Sequence, residues 1–479
     1  MIKREREVTM HLYETLADDL SWLICAGVYP PGARLPSVRH ISRQRGVSVS
    51  TSVRAYHELE RRGVIEAAPR SGYFVVGPRR SALPSVPEHG ASPVPVAGAH
   101  RILQLLAAAD DPRTVSFGAA TPHPDYMPSA AMAAASRTVW RRARRRCMNQ
   151  AFPPGAVELR TELARRLAMA GCRLDPDDLL ITNGCQEAMA IALKMLCRPG
   201  DVVAVEAPTY YGLLEVLEQQ QLRALPIPSD PSQGLALDPL EQAFRTREVR
   251  ACVVTPVASN PLGVTLSDER KQALVALAER HAVPIVEDDT YGELVETGRR
   301  PTPLKAWDRA GRVYYCGSAT KTICAGLRIG WLAMPGRYRQ QAAMAQYLRT
   351  ISVNTPAQLT LAHYLATGHI DRHMRAAARA YRQCVARLIA ELEQHFPAGT
   401  KISAPQGGFL VWAELPGTVD TGALLAESLR CGVSFAPGAL FAPNGGFENC
   451  MRLNAAVAWD QAAQSALQNL GGLVRDRLG

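Results

Sequence analysis

Lys321 lies in a run of small residues, GSATKTICAGLRIGW, that extends from Gly317 to Trp331. A lysine that condenses with an aldehyde must be neutral part of the time and needs room for a flat ring. Ser318, three residues before it, and Arg328, seven after, supply a hydroxyl and a fork of donors for a phosphate. Taken alone, the run reads more readily as an ordinary surface lysine beside a Gly-rich turn. Three other stretches change that weighting. The segment TNGCQ ending at Gln186 opens a helix, so the amides around Gly184, Cys185 and Gln186 face a phosphate at the positive end of the helix dipole. The segment SNPLG presents the amide of Asn260, and EDDTY presents its acids and the phenol of Tyr291.

Each of these stretches follows an apolar run that reads as a strand. The runs begin at Leu179, Asp201, Ala251, Val283 and Arg312, and helical patterns such as Asp268 to His281 bracket them. Apolar strands alternating with amphipathic helices predict a mostly parallel, doubly wound α/β sheet. In such sheets the ligand lies just beyond the strand C-termini, which is where these residues fall.

The first eighty residues have a different pattern. Helical spacing of Leu12, Leu16, Leu20 and Leu23 is followed by a short helix capped at Ser37, a turn at Gly46, a helix from about Ser48 and a β-hairpin. That order predicts a winged helix-turn-helix. This segment holds 13 Lys/Arg against 8 Asp/Glu, half of the net +10 of the 479-residue chain, which favours a polyanionic partner. With 47% hydrophobic and 20% charged residues the composition is globular. No apolar run approaches the roughly 18–20 residues that span a bilayer, and no secretory signal is read at the start. The eleven cysteines are scattered, without a CxxC pair or metal-ligand spacing. A reduced, cytoplasmic protein with no metal and no membrane partner is the expectation.

The stretches PGARLPSVRHIS and GVSVSTSVRAYHELERRGVIEAAPRSGYFV resemble the GntR-type DNA-binding domain over its whole length. Residues from about 114 to 475 resemble a class I aminotransferase of the pyridoxal-phosphate fold-type I superfamily, and the whole chain resembles the MocR/GabR family of transcription regulators. The resemblance implies domains at 1–77 (winged helix), 78–113 (a Pro-rich interdomain linker) and 114–479 (aminotransferase-like, with a smaller C-terminal α+β subdomain). It implies that Lys321 bonds pyridoxal 5'-phosphate as a Schiff base and that Asp288 pairs with the pyridinium nitrogen. Asn260 and Tyr291 would bond the ring 3-oxygen, and Tyr210 would stack on the ring face. Gly184, Cys185, Gln186, Ser318 and Arg328 would hold the phosphate, and Arg452 a substrate or effector carboxylate. In the winged helix, Arg39 would meet phosphate, Ser48, Ser50 and Thr51 the major groove, and Arg70 and Gly72 the minor groove. Val49 and Val53 stand where relatives carry arginine, so Arg54 is a further candidate for base readout. Two other departures are Gln150, where relatives often have a tyrosine that reaches the neighbouring subunit's cofactor, and Cys185, where a hydroxyl or alanine is common. The implied partners are operator double-stranded DNA, an amino compound or amino acid effector, and a second copy in a homodimer. The implied function is cofactor-dependent transcription regulation, with an active aminotransferase as the alternative. Finally, six arginines fall in the ten residues from Arg137 to Arg146, read first as a solvated basic helix face and alternatively as a contact to the DNA backbone.

Overall fold

The structure, a computed structural model, describes residues 12–25, 28–29, 32–61, 64–68, 72–75, 81–86, 92–96, 102–246, 248–295, 300–443 and 445–478. The chain divides into two compact units, Met1–Ser81 and Ala82–Gly479.

In the smaller unit, helix Leu12–Cys25 buries Leu16, Ala17, Leu20 and Ile24 along one stripe. Helix Val38–Arg45 begins at Ser37, whose side chain accepts the His40 N–H at 3.3 Å, and ends at Gly46 in the left-handed region. Helix Val49–Arg61 is capped in the same way, the Thr51 N–H donating to Ser48 Oγ at 3.0 Å. Tyr56 and Leu59 from this helix pack with Ile41, Ile65 and Val75 into a core of its own. Strands Ile65–Ala68 and Gly72–Val75 pair antiparallel with Ile65 opposite Val75. The wing has a further edge that the pattern does not reveal. The Leu35 N–H donates to the Tyr73 carbonyl, and the Val75 N–H to the Ala33 carbonyl, both at 2.9 Å.

The larger unit is built on a nine-stranded sheet. Five parallel strands run in the order Arg223–Asp230, Val202–Ala207, Val249–Val254, Ile285–Asp288 and Val313–Ser318. Strand Gly330–Ala333 then lies antiparallel between Val313–Ser318 and Leu179–Thr182. Apolar clusters cover both sheet faces, with helix Cys185–Leu196 burying seven of its twelve residues on one of them. A second, antiparallel sheet of Lys401–Ile402, Leu410–Glu414, Cys450–Asn454 and Ala436–Pro437 packs with helices Ile370–His395 and Gln461–Asp476 into a separate core. This is the smaller C-terminal subdomain.

The expected linker, 78–113, requires correction in its described parts. The Ile402 N–H donates to the Ala82 carbonyl at 3.0 Å, and the Ser85 hydroxyl bonds Glu414 at 2.9 Å. Val94–Pro95 forms an edge strand against Arg223–Asp230, and Ile102–Asp110 is a helix. Proline suits such an edge because it gives up only a donor that would face outward.

The antiparallel strand brings backbone against backbone. A Cβ on Gly330 would lie 2.3 Å from the carbonyl carbon of Gly184. Gly330→Ala is therefore expected to destabilise the larger unit by about 1–3 kcal/mol in urea unfolding, and an unchanged midpoint would show that the two segments separate freely.

Candidate functional site

The residues singled out in the larger unit arrive from strand ends. Tyr210 follows Val202–Ala207, Asn260 follows Val249–Val254, Asp288 closes Ile285–Asp288, and Lys321 sits in the turn after Val313–Ser318. Gly184 ends the link from Leu179–Thr182 to helix Cys185–Leu196. The carboxyl edge of the sheet is thus a single site.

The turn at Lys321 is shaped by its neighbours. The Ala319 N–H donates to the Ile329 carbonyl, and the Ile323 N–H to the Ala319 carbonyl, each at 3.0 Å. Ser318 Oγ accepts the Thr320 N–H at 3.1 Å and donates to Thr320 Oγ1 at 2.8 Å. Arg328 reaches the same corner, with Nη1 3.5 Å from Thr320 Oγ1 and Nη2 3.5 Å from the Asn183 carbonyl. Its φ of 54° lies in the left-handed region, which costs a non-glycine residue about 1–2 kcal/mol. Gly184, with φ of 86°, requires glycine twice over, because its Cβ would fall 2.7 Å from Arg328 Nη2. A guanidinium, two hydroxyls and a helix N-terminus therefore meet at one corner, which suits a phosphate.

Gln186 and Cys185 direct their side chains away from that corner. The Gln186 side chain turns towards Glu215, 3.4 Å away. The Cys185 thiol donates instead to Asp288 Oδ1 at 3.2 Å. A hydrogen bond with Cys316, burial and the charge of Asp288 hold this thiol well above its usual pKa, so it remains a neutral donor.

Asp288 also accepts from the Thr290 hydroxyl at 2.6 Å and the Thr290 N–H at 3.1 Å. Burial raises its pKa, and the bonds from Thr290 and Cys185 oppose that rise. The adjacent acid has another task. Asp289 Oδ2 accepts from Arg300 at 2.6 Å and from the Tyr315 hydroxyl at 2.7 Å, which pins the backbone so that Asp288 faces the site. Tyr210 and Tyr291 are held well above their usual pKa, first by burial, and both also feel Asp288.

Lys321 is pushed down to about 8, first by burial, then by the charges of Arg452 and Arg328, against the pull of Asp288. Arg452, on strand Cys450–Asn454, is fully buried. It donates through Nη2 to the Gly118 carbonyl and lies 5.8 Å from the Tyr211 ring centre and 5.4 Å from that of Phe441. Its Nε and Nη1, together with Asn260 Oδ1, are buried without a hydrogen-bond partner. Buried polar atoms normally have partners; a carboxylate would accept from the two Arg452 donors, and a ring hydroxyl would donate to Asn260 Oδ1. The donors thus fit pyridoxal phosphate and an amino acid. Among the described residues there is no His/Cys/Asp/Glu group that could hold a metal ion, and no helix is long and apolar enough to cross a membrane.

Sequence reasoning missed Thr290, Thr320 and the aromatic wall of Tyr211 and Phe441. Thr290 and Thr320 were legible as hydroxyls beside Asp288 and Lys321, whereas nothing in spacing links Gly118 to Arg452 across 334 positions.

In the winged helix, Arg39, Ser48, Ser50 and Arg54 are exposed. The hydroxyls of Ser48, Ser50 and Thr51 also bond one another, at 2.7 and 2.8 Å from Ser48 Oγ. Arg70 lies outside the described residues. Gly72, with φ of 101°, would place a Cβ 3.2 Å from Arg34 Nε, so the exposed Arg34 joins the wing as a cation that the sequence reading missed.

Comparison with known proteins agrees with this division. Residues 118–470 match the family described as aminotransferase class I and II, and residues 12–75 match bacterial regulatory proteins of the gntR family. The chain is 36% identical over 476 residues to the HTH-type transcriptional regulator YjiR of Escherichia coli, covering 97% of this chain and 99% of that protein. It is similar to the crystal structure of the Pyrococcus horikoshii kynurenine aminotransferase in complex with PMP (TM-score 0.74, 26% identity, covering 82% of this chain and 96% of that one). It is also similar to an alpha-aminoadipate aminotransferase of Thermus thermophilus complexed with N-(5'-phosphopyridoxyl)-L-leucine (TM-score 0.73, 26% identity, covering 79% and 95%).

The electrostatics give a direct test. In competitive labelling with trace acetic anhydride on cofactor-free protein, Lys321 is expected to titrate near pH 8, against about 10.4 for an unperturbed lysine. Its midpoint is expected to rise in Arg452→Gln, since a repelling charge is removed. A Lys321 that titrates with the surface lysines would contradict this geometry.

Proposed function

We propose that this chain, which belongs to the MocR/GabR-type family joining a gntR-type winged helix to an aminotransferase class I and II domain, is a pyridoxal-phosphate-dependent transcription regulator. The observation that carries the reading is the half-buried Lys321 beside the buried Asp288, Asn260 and Arg452, present in one chain with a winged helix. Bound there, pyridoxal phosphate supplies a carbonyl that condenses with primary amines and a pyridine ring that acts as an electron sink. Lys321, with its lowered pKa, provides a neutral amine near physiological pH. The bonds that Thr290 and Cys185 donate to Oδ1 favour the ionised carboxylate of Asp288, which would hold a proton on the ring nitrogen. Asn260 and Tyr291 orient the ring through its oxygen, Tyr210 covers its face, and the corner of Gly184, Ser318 and Arg328 receives the phosphate.

Arg452 defines the effector class. A buried guanidinium with two unpaired donors selects a carboxylate, so the effector is an amino acid or a related amino carboxylate. Arg39, Ser48, Ser50, Thr51, Arg54 and Gly72, with Arg70 assigned from the family pattern, meet the operator, arginines for phosphate and hydroxyls for base edges. Two copies would place two such faces on repeated or palindromic half-sites. Exposed apolar Met148, Phe152, Leu348 and Ile351 support a homodimer, because the Ala151–Val353 bridge brings their segments together beside Gln150. Effector and cofactor then act by favouring one arrangement of the DNA-binding domains over another.

A second reading, an aminotransferase that also binds DNA, is favoured by the completeness of the same residues. Multiple turnovers with a keto-acid acceptor would establish it, whereas a single stoichiometric exchange fits the regulator.

The test is a gel shift of the protein on the duplex upstream of its own gene, with and without pyridoxal phosphate. The cofactor is expected to change affinity or footprint in the intact chain. Lys321→Ala is expected to lose both that response and the near-visible absorbance band of the loaded protein. An identical footprint with and without cofactor would overturn the regulator reading.

A further inference from the structure

The arginine run is the largest charged feature that the proposed site leaves unused. Helix Ser129–Arg142 buries Met132, Ala135 and Val139 along one stripe, and Cys147 continues this anchoring in the following turn, Arg144–Cys147. Arg137 and Arg141 lie on the opposite side of this helix, Arg142 stands at its end, and Arg144 and Arg145 follow in the next turn, all five exposed, with the half-exposed ring of Trp140 among them. Only Arg146 has an ion pair among the described residues, a two-pronged contact to Glu158 whose Nη2 bond is 3.0 Å.

Five like charges in nine residues repel one another, and a pair such as Arg137 and Arg141, four apart on a helix, is destabilising. Neither helix contains an aspartate or glutamate to offset them. The C-terminal end of a helix dipole accounts for one or two cations, not five. All six positions are arginine and none is lysine, the choice that suits planar, bidentate pairing with phosphate. The bare Ala133 and Ala134 on the exposed side leave the face shallow enough for a broad surface to approach.

We propose that the Arg137–Arg145 face is a second DNA-binding surface that contacts the phosphate backbone of the operator duplex without reading its sequence. The inference rests on the DNA-binding reading of the winged helix and adds to it a contact from the larger unit. Its signature is salt dependence, because each neutralised phosphate releases condensed counterions.

The experiment measures the affinity of the cofactor-loaded full chain for the duplex upstream of its gene, across roughly 50 to 200 mM salt. In R141Q/R142Q/R144Q/R145Q, the log–log slope is expected to become shallower by about 2–4, at about 0.9 per lost phosphate contact. The matching four-lysine variant is expected to keep the original slope, since it preserves the charge. If the quadruple variant does not fold, R141Q/R142Q and R144Q/R145Q read the same change in halves. Unchanged slopes in the glutamine variants would overturn the proposal while the intact protein still binds. Unchanged slopes with a halved molar mass in light scattering would overturn it in favour of a contact between copies. An intact chain that binds no duplex would remove the winged-helix reading together with this one, which separates the two failures.

Discussion

The site depends on a contact between two backbones. Strand Gly330–Ala333 enters the sheet antiparallel and passes so close to the start of helix Cys185–Leu196 that Gly330 tolerates no side chain, and Gly184, in the left-handed region against the Arg328 guanidinium, tolerates none either. That approach fixes the distance between the helix N-terminus and the turn bearing Lys321. It also places Arg328, on the residue pair before the strand, beneath Gly184. A corner made from amides, hydroxyls and a guanidinium is rigid because its walls are main chain, and rigid placement is what a phosphate site requires.

Around that corner the charges do not balance. Lys321 lies within reach of two arginines and one carboxylate, so the site holds an excess of positive charge in a buried setting. Such an excess is costly unless an anion neutralises it. In the proposed function, a phosphate at Arg328 and a carboxylate at Arg452 would provide that neutralisation. The same positive field keeps the lysine poised to lose its proton, so binding electrostatics and amine reactivity have one origin.

Much of this was legible in the sequence, for identifiable reasons. Four of the five parallel strands are the apolar runs read at Asp201, Ala251, Val283 and Arg312, and each leads into a polar residue of the site, from Tyr210 to Lys321, whereas Arg223–Asp230, broken by two prolines, gave no such signal. The winged helix was legible because Ser37, Gly46 and Ser48 are local punctuation whose effect does not depend on distant contacts. What stayed hidden is long-range or short in extent. Strand Gly330–Ala333 has four residues and follows a glycine-rich turn, so periodicity gives it no signature. The stretch 82–110 reads as a linker by composition, yet Ser85, Val94 and Ile102 are ordered by partners more than 100 positions away. The choice between Asp288 and Asp289 rests on Arg300 and Tyr315, and the role of Arg34 rests on the wing edge made by Ala33 and Leu35.

If occupancy of the Lys321 site governs DNA binding, the coupling must run in both directions, since linkage makes binding effects reciprocal. The decisive measurement is the dissociation constant of pyridoxal phosphate from the intact protein, read from its near-visible absorbance, with and without saturating operator duplex. The two constants are expected to differ by the same factor by which the cofactor changes DNA affinity. Equal constants with and without DNA would contradict it, and would leave the lysine site and the winged helix as independent parts of one chain.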